Sequence, residues 1–473
     1  MDQQRIPLAE HLQIFADSNP ISFHVPGHKH GQISSPAYKA DFQQMLRWDV
    51  TEITGMDDLH APTGIIAEAE RLAADFFKTE HTFFLVGGST AGNLAMILAT
   101  CKQGEKILVQ RNCHKSVMNG LELAGAKPVF LAPNWDDNVK RYTSPSYETV
   151  EAAIEQHPDV QALVLTYPDY FGQTYNLKKM IDKAHQYNIP VLVDEAHGVH
   201  FALGDPFPAS AIQLGADAVV HSAHKMAPAM TMASYLHIVT PRIDTTRIAH
   251  YLQAIQSSSP SYILMASLDM ARHFLANFSA GERIKVIKSV EYVKTLFSAF
   301  PFWEAVPSGD PLKLTFHVKH SFSTRSVVNL LEKAGIFPEL ATEEQILFIH
   351  GLAPFEQIEM LEKRLKTIEH PLKKSVNRAT IEKINLFPDK IQELDLSYQE
   401  MNNYTTYLVP VKESIGAIAA EAIIPYPPGI PVLLKGERIK QAHIAHLEKL
   451  VEQGVRIQHR DSGVRIYRNK GER

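Results

Sequence analysis

The stretches HSAHKM (221–226) and VLVDEAH (191–197), read together, decide the fold that we predict. The second stretch opens with a short apolar run that ends in Asp194. This pattern is typical of a buried parallel strand with its carboxylate at the C-terminal edge of a sheet. A similar apolar run, 218–220, leads into the loop that presents Lys225. Asp194 and Lys225 are 31 residues apart, about one strand–helix–strand crossover, so adjacent strand ends could bring them together.

A buried acid facing a loop lysine suits pyridoxal phosphate. The amine of Lys225 could hold the cofactor aldehyde as a Schiff base. The carboxylate of Asp194 could keep the pyridine nitrogen protonated, so that the ring withdraws electrons from the substrate.

The sequence GGSTAGN (87–93) is the candidate phosphate loop. It follows the apolar strand 82–86 and opens a helix that we predict to run to about residue 100. Glycines allow close approach of the backbone, and free amides at a helix N-terminus favour a dianion. The plainer alternative is a Ser/Thr helix cap after a glycine turn. The loop lacks the Lys-Ser/Thr ending of a P-loop, which disfavours nucleoside triphosphates.

Helices and strands alternate from about residue 65, which predicts an α/β fold with a mostly parallel sheet covered on both faces. We predict three parts. These are an N-terminal segment (1–64) that contributes to the site and a dimer contact, a large cofactor-binding domain (65–300), and a smaller α+β region (301–473) with a connector at about 370–400. In the last region the proline-rich stretch 423–431 should be a rigid turn.

The predicted elements follow from apolar periodicity and flanking breakers. The helices are expected at 4–17, 65–78, 115–125, 147–156, 242–255, 261–300, 324–335, 354–369 and 437–453. The strands are expected at 82–86, 106–109, 128–132, 161–166, 191–194, 218–220, 233–239, 312–318 and 346–350.

Composition places the chain among ordinary globular proteins. It has 473 residues, of which 45% are hydrophobic and 21% charged, and a formal net charge of −5. This charge gives no basic surface for nucleic acid or anionic lipid. With only two cysteines, no signal-peptide pattern and no apolar run of 18 residues, we expect a soluble, cytoplasmic protein without a membrane partner.

Three histidines lie close together in HVPGHKHG (24–31) and could suggest a metal site. Pro26, Gly27 and Gly31 mark an irregular loop that fixes no ligand geometry, so we expect a packed loop and no metal.

Eight motifs together resemble the Orn/Lys/Arg decarboxylases, a family of fold type I enzymes that use pyridoxal phosphate. They run in the family order over nearly the whole chain, and the length is similar to that of the short Gram-positive arginine or lysine decarboxylases. The motifs are HVPGHKHG (24–31), DVTEITGMDDLH (49–60), GGSTAGN (87–93), HKS (114–116), DEAHG (194–198), HSAHK (221–225), SSSPSY (257–262) and YPPGIP (426–431).

The resemblance implies a role for each site residue. Lys225 would bind the cofactor covalently, Asp194 would pair with its ring nitrogen and His114 would stack on the ring. His197 would lie beside the cofactor, although long-form relatives often have tryptophan there. The phosphate would be held by Ser89, Thr90, Ser222 and His224, and Ser258 would reach the phosphate of the neighbouring subunit.

The activity implied is decarboxylation of a basic L-amino acid, with arginine or lysine favoured and ornithine possible, to agmatine, cadaverine or putrescine. The resemblance also implies a homodimer or higher oligomer with shared sites. The substrate cation needs an acidic partner, for which position alone makes Asp57, Asp58, Glu421 and Glu437 candidates.

Three alternatives stay open. The same lysine and aspartate would serve another fold type I reaction, such as transamination or aldol cleavage. A catalytically silent relative could act as a regulatory subunit. DEAH is also a helicase spelling, but the sequence has neither an upstream P-loop nor a basic channel.

Overall fold

A computed structural model describes residues 1–373, 386–426, 430–452, 456–458 and 463–469. The helices are α1 (Pro7–Asp17), α2 (Lys39–Leu46), α3 (Ile65–Phe77), α4 (Gly88–Thr100), α5 (Lys115–Ala124), α6 (Tyr147–Gln156), α7 (Leu177–Gln186), α8 (Ala223–Met226), α9 (Thr245–Ile255), α10 (Tyr262–Ala276), α11 (Ala280–Ser298), α12 (Thr324–Lys333), α13 (Ile358–Lys373) and α14 (Gln441–Glu452).

The strands are short. They are β1 (His81–Leu85), β2 (Lys106–Gln110), β3 (Lys127–Leu131), β4 (Trp135–Asp136), β5 (Arg141–Tyr142), β6 (Leu163–Thr166), β7 (Val191–Asp194), β8 (Ala218–His221), β9 (Ser234–Ile238), β10 (Trp303–Val306), β11 (Lys313–Val318), β12 (Leu340–Ala341), β13 (Gln345–Ile349), β14 (Ile391–Glu393), β15 (Tyr404–Val409), β16 (Ile418–Ala419), β17 (Ile424–Tyr426), β18 (Arg456–Gln458) and β19 (Val464–Asn469).

The chain forms two compact units. The first contains Met1–Thr100 and Ala184–Ser279, and the second contains Cys101–Lys183 and Ala280–Arg473. The functional boundaries after residues 64 and 300 stay predictions. In the part of the chain that the structure describes, no helix is long and apolar enough to cross a membrane.

The first unit is built on four strands in the order β1-β9-β8-β7. β7 and β8 are parallel, whereas β9 runs antiparallel to both β8 and β1. Every residue of β7, β8 and β9 is buried. Helix α3 packs on β1, and α4 packs on β8 and β9. Strands covered in this way need continuous apolar runs, which explains why their sequences do not alternate.

Gly92 allows α4 to lie directly on the sheet. A Cβ atom at this position would lie 2.9 Å from Leu85 Cδ1 and from Val220 Cγ2. Real Cβ contacts are longer than this, so a side chain here would push the helix off the strands. The last glycine of GGSTAGN therefore serves packing.

The second unit contains the strands β6-β2-β3-β14, in which β6, β2 and β3 are parallel and β14 is antiparallel to β3. A separate antiparallel sheet has the order β10-β11-β13-β12 and contacts α11 and α12. Near the C-terminus, β15, β19 and β16 form a third sheet over an apolar cluster that includes Leu433, Ile444 and Ile466.

Most predicted elements are present, with differences at their ends. The predicted helix 261–300 is two helices, because Asn277 ends α10 and bonds back to the His273 carbonyl with both its amide and its side chain. The predicted helix from 437 begins at Gln441, since Glu437 is buried in an ion pair with Arg111. The connector contains an unpredicted strand, β14.

The proline-rich stretch and the connector lie partly outside the described residues, which exclude 427–429 and 374–385. Ile424–Tyr426 pairs with Arg456–Gln458 in a two-stranded ladder, so this part of the predicted rigid turn is a short strand.

Candidate active site

Lys225 lies in a short helix directly after β8. The helix α8 begins after Ser222, and the backbone amide of Lys225 bonds to the Ser222 carbonyl at 3.1 Å. The side chain is half-buried, and its Nζ lies 3.1 Å from Nε2 of His197. His197 follows β7, so the parallel pairing of β7 and β8 brings the two side chains together. The predicted pairing of these two strand ends is present.

Asp194 ends β7 and is 3% exposed. Asn93 of α4 donates a hydrogen bond from Nδ2 to Asp194 Oδ2 at 2.8 Å, and the Ala196 amide donates to Oδ1 at 3.1 Å. A buried carboxylate needs such donors because it has lost its water. Asn93, the last residue of GGSTAGN, therefore orients the carboxylate, a role that sequence reasoning did not assign.

Two hydroxyls meet at the start of α4. Ser89 Oγ and Ser222 Oγ share a hydrogen bond of 2.7 Å, which joins the loop after β1 to the loop after β8. Thr90 is exposed in the first turn of α4. Gly88 has a φ of 72°, a left-handed conformation that favours glycine. These groups place hydroxyls at a helix N-terminus, where backbone amides favour an anion.

Gln256 shapes the same loop and was not predicted from the sequence. Its buried Oε1 accepts hydrogen bonds from the amides of Val86, at 2.8 Å, and Gly87, at 3.3 Å. Gln256 directly follows α9, so the loop geometry depends on a residue that is 170 positions away in sequence from Val86. Only the folded chain reveals this contact.

His224 is partly buried beside β9. Its Nδ1 donates to the Ala233 carbonyl at 3.1 Å. Burial lowers the pKa of His224 below its usual value, although this hydrogen bond opposes the effect. The His224 side chain is therefore expected to be a neutral imidazole at neutral pH.

The serines of the loop between α9 and α10 contact the N-terminal segment. The His60 ring donates from Nε2 to the Ser257 carbonyl at 2.9 Å, and Ser259 Oγ donates to Glu52 Oε2 at 3.3 Å. Ser258 lies between them and is exposed. Two of the quoted motifs, DVTEITGMDDLH and SSSPSY, thus lie against each other in the first unit.

His114 lies in the second unit, where it precedes α5. Its Nδ1 accepts from the Ser116 amide at 3.2 Å and lies 2.8 Å from Ser116 Oγ. It therefore caps the helix. Its stacking on a cofactor ring stays a prediction.

The four carboxylates suggested as substrate partners already bind groups of the protein. Asp57 accepts hydrogen bonds from the backbone amides of Thr63, Gly64, Ile66 and Ala67. Asp58 accepts from the amide of His60, and Glu421 accepts from the amide of Arg465. Glu437 forms an ion pair with Arg111 at 2.8 Å.

Asp57 and Glu437 show the consequence in their pKa values. Burial raises the pKa of each group, but several amide hydrogen bonds together outweigh it at Asp57, so the pKa of Asp57 is lowered. At Glu437 the charges of Arg111 and His443 and the hydrogen bonds from Leu434 and Arg111 together outweigh burial and lower the pKa. These two carboxylates are structural anions.

Glu52, which sequence reasoning passed over, differs from them. Its Oε1 is buried and has no hydrogen-bond partner among the described residues, whereas Oε2 accepts from Ser259. A carboxylate oxygen in this state favours a cationic donor.

Comparison with known proteins identifies the family of the chain. Two profiles of one family match the chain, "Orn/Lys/Arg decarboxylase, major domain" over residues 6–301 and "Orn/Lys/Arg decarboxylase, C-terminal domain" over residues 376–457. The protein YaaO of Bacillus subtilis (strain 168), described as uncharacterized, is 42% identical in an alignment covering 96% of this chain and 95% of the relative. An arginine decarboxylase of the same organism is 34% identical over 97% of this chain and 96% of the relative.

Among solved structures, lysine decarboxylase A from Pseudomonas aeruginosa has a TM-score of 0.81 and 20% identity, over 98% of this chain and 80% of that protein. This likeness confirms the predicted fold, with a mostly parallel large sheet and a smaller C-terminal domain. The matched profiles and the full-length relatives confirm the predicted family. The chain belongs to the Orn/Lys/Arg decarboxylase family.

Proposed function

We propose that this protein decarboxylates a basic L-amino acid, with arginine favoured over lysine, and uses pyridoxal phosphate as its cofactor. The observation that carries the proposal is the placement of a lysine amine, a buried carboxylate and two paired serine hydroxyls at neighbouring strand ends. Full-length relatives named arginine decarboxylase support arginine.

The residues present fit the cofactor. Among the described residues, Asp194 accepts from Asn93 and Ala196, and a carboxylate has about four lone-pair positions, so it can also accept a ring N–H. Ser89 and Ser222 lie at the N-terminus of α4, where a phosphate is favoured. Lys225 supplies a primary amine in α8, directly after β8.

When bound, pyridoxal phosphate supplies an electron sink for the electrons of the broken bond between Cα and the carboxylate. The residues of the chain hold this group and its protons. Asp194 holds a proton on the ring nitrogen, and Asn93 fixes the direction of that carboxylate. Lys225 is the attachment point, and His197 Nε2, at 3.1 Å from Lys225 Nζ, can exchange a proton with the amine.

The remaining assignments are part of the proposal. Thr90 and His224 complete the phosphate site, and His114 stacks on the ring. Ser258, exposed between α9 and α10, reaches the site of a second subunit in a homodimer.

We further propose that Glu52 binds the cationic end of the substrate. Its support is the buried Oε1 that lacks a partner among the described residues, together with the contact to Ser259 beside Ser258. A guanidinium or an ammonium group could donate to this oxygen.

The test is mass spectrometry of the products formed from arginine, lysine and ornithine with added pyridoxal phosphate. We expect agmatine to form fastest, and the relative rates name the substrate. Keto-acid or aldehyde products in place of an amine would overturn the proposed reaction.

A further inference from the structure

A chain of hydrogen bonds crosses the first unit beside the proposed site. Glu195 Oε2 lies 2.7 Å from His221 Nε2, and His221 Nδ1 lies 3.0 Å from His237 Nε2. His237 Nδ1 lies 2.8 Å from Thr82 Oγ1, which is 2.9 Å from Thr79 Oγ1. We call these five residues the histidine network. All of them except Thr79 are 0% exposed.

The histidine network lies on the opposite face of the sheet from Asp194. Side chains alternate along a strand, and Asp194 is directed towards Asn93 of α4. His221 and His237 are directed towards α3, where the Phe77 ring lies 5.5 Å and 4.5 Å from theirs. The histidine network thus packs against the ends of β7 and β8 on the α3 face of the sheet.

Glu195 accepts hydrogen bonds from three protein donors. Besides His221, Ser210 Oγ donates to Oε2 at 2.6 Å and the Ala211 amide donates to Oε1 at 2.9 Å. A Cβ atom on Gly198 would lie 2.6 Å from Glu195 Cγ, so the local backbone is closed around this side chain. A fully buried carboxylate with these hydrogen bonds holds the neighbouring protein groups in fixed positions.

Every ring nitrogen of the network has a hydrogen-bond partner. Burial, and next the charge of His221, lower the pKa of His237 well below its usual value, so His237 is neutral. His221 Nε2 donates to Glu195, and its Nδ1 shares a hydrogen bond with His237 Nε2. His237 Nδ1 shares the next hydrogen bond with the Thr82 hydroxyl. Both rings are therefore held by partners on two sides.

We propose that His221 is a positioning residue: its bond to Glu195 clamps the end of β8 to the end of β7 and fixes the distance between the Lys225 amine and the Asp194 carboxylate. Glu195 directly follows Asp194, and Lys225 is four residues after His221. The inference rests on the proposed function, because pyridoxal phosphate must fit between that amine and that carboxylate.

The test measures the dissociation constant of pyridoxal phosphate by absorbance titration of the apoprotein, beside kcat and KM. Replacing His221 by Leu removes the donor to Glu195, and we expect affinity to fall by roughly tenfold or more and kcat to fall more than KM rises. His221→Gln keeps an N–H at a similar reach and should restore affinity to within about threefold of wild type. His237→Leu is the matched control, because it leaves the clamp in place.

His221→Leu leaves a buried carboxylate with one donor fewer and risks misfolding. The double variant Glu195→Gln/His221→Leu removes the charge as well as the clamp, so it should fold and still show the loss of affinity. Wild-type affinity in either folded variant would overturn the proposal, as would an equal loss in His237→Leu. The affinity for pyridoxal phosphate tests the bond between His221 and Glu195 even if the protein forms no amine product. A wild-type protein that does not bind pyridoxal phosphate would refute both this inference and the proposed function.

Discussion

The two faces of the sheet in the first unit use buried carboxylates in different ways. On the α4 face, Asp194 accepts from Asn93 and Ala196 and has lone pairs left for a ligand. On the α3 face, Glu195 is surrounded by Ser210, Ala211 and His221. Alternation along a strand therefore places adjacent carboxylates of one motif, DEAHG, on opposite faces, so that one accepts fewer protein donors than the other.

The largest expected effect is on the amine of Lys225. Lys225→Ala should lower turnover by at least roughly 10³-fold and remove the cofactor absorbance, because the attachment point is lost. Steady-state amine formation and an absorbance spectrum measure both effects. Lys78→Ala, at an exposed lysine of the same unit, is the control. Wild-type-like turnover in the Lys225 variant would refute the assignment.

The next largest effect is expected at Asp194, the carboxylate on the α4 face. Asp194→Ala should keep some cofactor but lower kcat by roughly 100-fold, since the ring nitrogen loses the group that holds its proton. Asn93→Ala should lower kcat less, because it only frees the carboxylate to rotate. Near-normal kinetics for Asp194→Ala would remove the contrast between the two faces. Kinetics of both variants with the best substrate give the comparison.

A smaller effect is expected at Glu52 of the first unit. Glu52→Gln should raise KM by roughly tenfold and change kcat little, because a charged hydrogen bond to the substrate cation is lost. Asp58→Asn, a nearby carboxylate that accepts a backbone amide, is the matched control. An unchanged KM in the Glu52 variant would assign substrate recognition elsewhere.

The smallest effect concerns Glu70, a second buried carboxyl on the α3 face. Burial raises its pKa to about 8, although the Phe84 amide, at 2.9 Å, opposes this. The folded chain then holds a proton that the unfolded chain releases near pH 4.5, so the free energy of unfolding should fall as pH rises from about 4.5 to 8.

Glu70→Gln should flatten that pH dependence, since glutamine carries no titrating proton. Urea unfolding of both proteins at pH 5 and pH 8 measures the difference. If the two proteins lose the same stability between these values, Glu70 is ionised in the folded chain and the inference is wrong.

The sequence predicted the α4 face better than the α3 face, for a physical reason. Asp194 ends β7 and Lys225 closely follows β8, its parallel neighbour, and apolar runs mark both strands in the sequence. His221 and His237 meet only because β9 turns antiparallel to β8, and no local pattern encodes this pairing. The roles of Gln256 and Asn93 were missed for the same reason, because both depend on contacts between distant segments.

The boundaries of helices show a similar limit. Residues 147–156 were predicted as α6 without error, because Ser146 caps the helix and the apolar spacing is regular. The break between α10 and α11 was missed, since Asn277 closes α10 without a glycine or proline to announce it.

The proposed function depends on Lys225 carrying pyridoxal phosphate opposite Asp194. The most direct measurement is borohydride reduction of the protein with its cofactor, followed by proteolysis and mass spectrometry of the peptides. We expect a phosphopyridoxyl group on Lys225 in the peptide that contains HSAHKM. The same mass addition on another lysine, with Lys225 unmodified, would contradict it.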